Sequence, residues 1–198
     1  MRRLVAASAV LVVVLTACGS GTAKRSSPTT ASSSVPTSSA TTTTTAPPAT
    51  CLPGGTTAPV TAPGSATVYL TDVLVAAAGC ADTVTFTFRP GPAPGYDVSY
   101  KPGPFQDAGS GAPHPVSGNA FVAVRLHPAA MADFSQPSAP LTYSGPRSIH
   151  PTGVAHVQDL EMTEAFEGYI TWVIGLDAQR PMKVVAKASP TSLAVTIG

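Results

Sequence analysis

The sequence predicts an all-β chain organised as a single small antiparallel β-sandwich, preceded by a signal peptide and a disordered stalk. Three observations carry this. Short segments alternate apolar and polar residues with period two, as half-buried strands do. Clusters of Pro and Gly separate them. The two clusters "RPGPAPG" and "KPGPFQDAGSGAPHPVSG" alone interrupt the chain over residues 89–95 and 101–118.

The elements follow in order. "TVYLTDVLVAAA" opens the sheet region. "TVTFTF" places Val84, Phe86 and Phe88 on one face and Thr83, Thr85 and Thr87 on the other. "GYDVSYK" sets Tyr96, Val98 and Tyr100 against Asp97, Ser99 and Lys101, and "FVAVRL" sets Val122, Val124 and Leu126 against Phe121, Ala123 and Arg125. "YITWVIGL" offers Ile170, Trp172, Ile174 and Leu176 to a core and leaves Tyr169, Thr171, Val173 and Gly175 on the polar face. "MKVVAKA" and "SLAVTIG" extend the pattern to the end. One helical turn is expected, in "HPAAMADF", because Pro128 suits a first helical position. Residues 66–198 thus read as one sandwich domain of about eight strands.

The first 17 residues read as a lipoprotein signal peptide. "MRR" is followed by 14 uncharged residues, 4–17, and then Cys18, so that the stretch closes on "LTAC". That run is shorter than the ~20 apolar residues a membrane-spanning helix needs. A basic start, an apolar core of this length and small residues at its end describe a cleaved leader. "LTAC" resembles the lipobox of bacterial lipoprotein precursors, which implies cleavage before Cys18 and lipidation of its sulfur. Residues 19–50 contain 18 Ser or Thr and four Pro among 32 residues, with Val35 the only apolar side chain larger than Ala. Such a segment buries too little surface to offset chain entropy, and it reads as a disordered linker of the composition found in O-glycosylated stalks.

From residue 51 onward seven basic residues face ten acidic ones. This leaves no basic face able to neutralise several phosphates, so no nucleic-acid partner is expected. With Cys18 assigned to lipid, Cys51 and Cys80 remain, and in an exported, oxidising setting they are expected to form a disulfide. That bridge would tether residues 51–65, the end of the linker, to the domain.

"YLTDVLV", "DTVTFTF", "PGYDVSY", "GSG", "VAVRL", "FEGYITWVIGLD" and "RPMKV" occur in this order. Together they resemble the AMIN-like domain of lipoproteins from high-GC Gram-positive bacteria, a domain named for its similarity to the AMIN domain of cell-wall amidases and pilus secretins. The resemblance implies a β-sandwich and a non-catalytic role in the envelope, engaging peptidoglycan or another envelope component. A protein-interaction or accessory role for an envelope enzyme is the alternative it leaves open. The implied location is the outer face of the plasma membrane.

No cofactor motif and no catalytic constellation is legible. Ser110 in "AGSGA" lacks the strand-turn-helix setting of a nucleophile elbow and reads as a flexible turn. Glu161, Glu164 and Glu167 read as a solvated face. "HPTGVAHVQDLE" brings His150, His156, Asp159 and Glu161 together in sequence, and His156 and Asp159 could ligate a cation if a turn joined them, but the spacing matches no metal motif, and no metal is expected. The candidate binding residues are Tyr169, an aromatic beside hydroxyls and suited to stacking on a sugar, its neighbour Thr171, and Arg125, suited to a carboxylate.

Overall fold

The computed structural model describes residues 51–198. The leader, Cys18 and the linker to residue 50, with the expectations that fall on them, lie outside the described residues. Among these, thirteen strands occur: β1 (Val60–Ala62), β2 (Val68–Ala78), β3 (Ala81–Phe88), β4 (Tyr96–Tyr100), β5 (Phe105–Gln106), β6 (Pro113–His114), β7 (Ala120–Leu126), β8 (Ala129–Ala130), β9 (Ser148–Ile149), β10 (Val157–Phe166), β11 (Tyr169–Leu176), β12 (Met182–Ala188) and β13 (Thr191–Ile197). They form a six-stranded sheet in the order β1-β4-β7-β11-β10-β9 and a five-stranded sheet in the order β12-β13-β3-β2-β8. β5 and β6 pair with each other as a small separate ribbon.

The period-two pattern decides which side chains meet between the sheets. Val73 and Leu193 flank Phe86 in register on β2 and β13. Opposite them, Trp172 of β11 pairs with Val124 of β7. Trp172, Phe86, Ile170 and Leu193 are almost wholly withdrawn from solvent. The Trp172 ring sits 6.2 Å from Phe86 and, edge to face, 6.2 Å from Tyr143. Turn chemistry fixes the registers. Gly79 (φ 68°) opens the two-residue turn of the β2–β3 hairpin, and Glu167 and Gly168 (φ 49° and 81°) form the β10–β11 turn. Positive φ at both central residues matches the twist of paired strands.

Three expectations need correcting. "HPAAMADF" forms no helix. Val68 N–H donates to Pro128 C=O and Ala129 N–H to Gly168 C=O, so sheet partners take the backbone groups a helical turn would use. Ala129–Ala130 becomes β8, parallel to the start of β2. Asp133 then organises the loop that follows, accepting from Ser135 N–H, Ser135 Oγ, Gln136 Nε2 and Arg89 Nη1. Second, Val173 and Gly175 are buried although alternation puts them on the polar face. The segment carrying β5 and β6 folds over that face as a flap, bringing the Ser117 carbonyl and Val116 onto Gly175, where a Cβ would collide. Third, Glu161 is buried under the same flap rather than solvated, and Glu167 is a turn residue.

Residues 51–65 take part in the fold as well. Cys51 and Cys80 are bonded, with Cα atoms 5.8 Å apart. Leu52 is buried, Thr56 bridges to Met182, and β1 adds an edge strand beside β4.

Candidate functional site

The outer face of the six-stranded sheet carries the sequence-derived candidates. Strand register lines up Asp97 on β4, Arg125 on β7, Thr171 on β11 and Glu164 on β10 as one row across four strands. Same-face neighbours on adjacent strands stand close enough to interact, and these do. Thr171 Oγ1 donates to Glu164 Oε2 at 2.6 Å, and Arg125 Nε lies 3.4 Å from the same oxygen. The row floors a groove of about 300 Å³, with Lys101 and Phe105 at one end.

Tyr169, Thr171 and Arg125 are therefore brought together, but Tyr169 is not an open stacking platform. The Arg125 guanidinium lies 3.9 Å from the centre of its ring, and His127 packs 5.8 Å away. Cation–π attraction of this kind holds a guanidinium in place. Tyr169 thus positions Arg125, whose side chain stays 46% exposed and is ion-paired with Glu164.

Beside the groove, under the flap, lies a second polar cluster. Asp159 and Glu161 alternate onto the same outer face of β10, and Ser148 on β9 faces Glu161 in register. His114 descends from β6, its Nδ1 2.5 Å from Asp107 and its Nε2 3.1 Å from Glu161. Burial pushes its pKa down, but the bonds to the two carboxylates outweigh that and raise it above the ordinary histidine value. Ser117 N–H donates to Asp159 Oδ2 at 2.8 Å, which closes the flap. At the sheet edge His150 Nδ1 stands 3.0 Å from Asp159 and its Nε2 3.2 Å from Ser148 Oγ. The order Ser148, His150, Asp159 has the connectivity of a hydrolase relay. The Ser148 hydroxyl, however, donates its one proton to Glu161, so His150 does not receive it.

A model of the AMIN-like domain family matches residues 68–198. The chain belongs to the AMIN-like family. Searches of curated proteins and of solved structures found no significant match. Membership indicates an envelope-associated binding module. The match begins at the first residue of β2, so the disulfide joins Cys51, before the matched AMIN-like region, to Cys80 inside it.

Two further features of this AMIN-like domain were missed by sequence reasoning. His156, able to join Asp159 on a cation only if a turn brought them together, lies elsewhere, with Nε2 2.9 Å from the Cys80 carbonyl oxygen and Nδ1 3.5 Å from Asp177. Arg180, doubly bonded to Asp177, lowers that carboxyl to about 2. At the β10–β11 turn, Phe134, Leu141 and Phe166 are exposed around an apolar hollow of about 360 Å³. Only their scatter through "ADFSQPSAPL" and "AFEG" marks them in sequence, and no periodicity connects them.

Proposed function

We infer that the protein is a membrane-tethered surface lipoprotein, anchored through Cys18, whose AMIN-like domain binds peptidoglycan without catalysing its turnover. The observation that carries this reading is the cross-strand row of Asp97, Arg125, Thr171 and Glu164. An open groove lined by carboxylates, hydroxyls, a half-exposed guanidinium and one aromatic edge offers donors and acceptors suited to a glycan and to a stem-peptide carboxylate. Commitment of the Ser148 proton to Glu161 supports the non-catalytic part.

Co-sedimentation with purified sacculi tests it. Arg125→Glu should weaken binding roughly tenfold or more, since a charge-assisted hydrogen bond contributes about 1.5–3 kcal/mol. Phe166→Ala should leave it unchanged. Equal binding by Arg125→Glu and wild type would place the ligand elsewhere. The anchor has its own test: Cys18→Ala should accumulate as unprocessed precursor or leave the membrane fraction, and a processed, membrane-retained variant would contradict lipidation.

A second reading, a protein-interaction module for an envelope enzyme, is favoured by the exposed Phe134, Leu141 and Phe166 around the apolar hollow. It expects the reverse sensitivity, with Phe166→Ala losing binding to the partner and Arg125→Glu retaining it.

A further inference from the structure

The cluster at the edge of β9 and β10 has a donor set that peptidoglycan binding does not use. Ser148 and His150, two residues apart, share the face of Asp159 and Glu161, also two residues apart, and the β9–β10 register superposes the two pairs. One donor atom from each of His150, Asp159 and Glu161 lies within 4.8 Å of the other two.

The two carboxylates are the unusual part. Asp159 is 2% exposed and Glu161 is 7% exposed. A buried carboxylate is strongly disfavoured unless a cation or several donors compensate it. Among the described residues, every ion pair to either comes from a histidine, and neither carboxylate pairs with Lys or Arg. Their remaining donors are neutral: Ser117 and Leu160 N–H for Asp159, and the Ser148 hydroxyl for Glu161. With Asp107 included, three carboxylates meet two imidazoles.

We propose that His150, Asp159 and Glu161 form a binding site for a divalent transition-metal ion of the zinc class at the edge of the six-stranded sheet. Two carboxylate oxygens and an imidazole nitrogen are a mixed oxygen–nitrogen set. Calcium and magnesium favour all-oxygen shells, while imidazole selects zinc and its first-row neighbours. Zinc ligands sit about 2.0–2.2 Å from the ion, so the three donors must draw in. His150, with a side chain 70% exposed, is free to turn for this. Ser117 N–H and His114 hold the outer oxygens of Asp159 and Glu161. Partners that hydrogen-bond ligating carboxylates in this way orient them, and their loss weakens metal binding about 10–100-fold. Three protein ligands leave open positions on the ion for water or for an incoming group.

The test uses the full-length chain in detergent, without a histidine tag, carrying Cys18→Ser so that the remaining two cysteines are disulfide-bonded and no thiol competes. Zinc is titrated in competition with a chromophoric chelator, and cobalt is followed by its electronic spectrum. Wild-type background should bind one equivalent of zinc, show cobalt bands of an oxygen–nitrogen site, and prefer zinc to calcium. His150→Ala, Asp159→Asn and Glu161→Gln should each weaken zinc at least about tenfold. Glu167→Gln, an exposed carboxylate in the adjoining turn, should bind as the parent does. Should either buried substitution fail to fold, His150→Ala carries the result, because its side chain lies in solvent. No zinc bound by the parent chain, parental affinity in His150→Ala, or a preference for calcium would each overturn the site and leave the cluster as a clamp for the flap.

Discussion

Phe86→Asp and Val84→Asp are expected to unfold the domain, whereas Thr85→Asp is expected to melt close to the wild type. Phe86 and Val84 are wholly buried between the sheets, and Phe86 lies against Trp172. An unpaired carboxylate in that position costs several kcal/mol, comparable with the ~5–15 kcal/mol that holds a domain together. Thr85 points to the other face of the five-stranded sheet, where it pairs in register with exposed Leu74 and half-buried Ala194. There the added charge meets water. Thermal unfolding followed by circular dichroism separates the cases. Similar losses for Thr85→Asp and Phe86→Asp would contradict the two-sheet arrangement.

Asp82→Ala is expected to be the most damaging removal of a polar group. Asp82, the second residue of β3 in the five-stranded sheet, is wholly buried and accepts the backbone N–H groups of Ala155, His156 and Val157, which lead into β10 of the six-stranded sheet. One carboxylate therefore ties the two sheets together at the disulfide end. Alanine orphans all three donors. At about 1–3 kcal/mol for a buried unsatisfied group, with Ala155 partly rescued by solvent, a loss of roughly 3 kcal/mol follows, or about 10 °C in melting temperature. Asp82→Asn keeps one accepting oxygen and should lose less. The tie also depends on pH. Burial pushes the Asp82 carboxyl up, but the three N–H groups and the charge of His156 outweigh this and hold it below 3.8. A folded value below the unfolded one means that the stabilisation is present above the ordinary value and is lost as pH falls through the lowered one. Asp82→Ala should accordingly flatten the acid limb of the stability profile.

How much of this was legible in the sequence differs by element. The strands whose two faces meet core and solvent, such as β3 and β13, are written in their alternation. The resemblance carried by "FEGYITWVIGLD" falls on the β10–β11 hairpin, whose turn residues and core-facing Trp172 follow from local chemistry. What alternation cannot express is a second cover on the outer face. Residues 105–118 read as a Pro- and Gly-rich loop, and they are one locally, but they lie on β10 and β11 and bury Glu161, Val173 and Gly175. The trace of this in the sequence is the apolar Val173 and the small Gly175 within the polar register of "YITWVIGL". The polar clusters were hidden for the same reason. His150, Asp159 and Glu161 lie together in "HPTGVAHVQDLE", but which of its residues meet is decided by the β9–β10 pairing, a tertiary fact with no spacing rule. Asp82 reads as one more polar residue at a strand start. "HPAAMADF" shows the converse error: a favourable local signal at Pro128 yields to backbone partners supplied by β2 and by the turn at Gly168.

The central claim, that this AMIN-like domain engages peptidoglycan through the groove on its six-stranded sheet, is tested most directly by mapping the contact. Residues 51–198 contain both sheets and the disulfide, and this chain can be labelled with nitrogen-15 and titrated with soluble disaccharide-peptide fragments of the cell wall. The expected result is a saturable set of amide shift changes at and beside Asp97, Arg125, Glu164 and Thr171, lost in Arg125→Glu. Absence of shifts at millimolar fragment, or shifts confined to the surroundings of Phe134, Leu141 and Phe166, would contradict it.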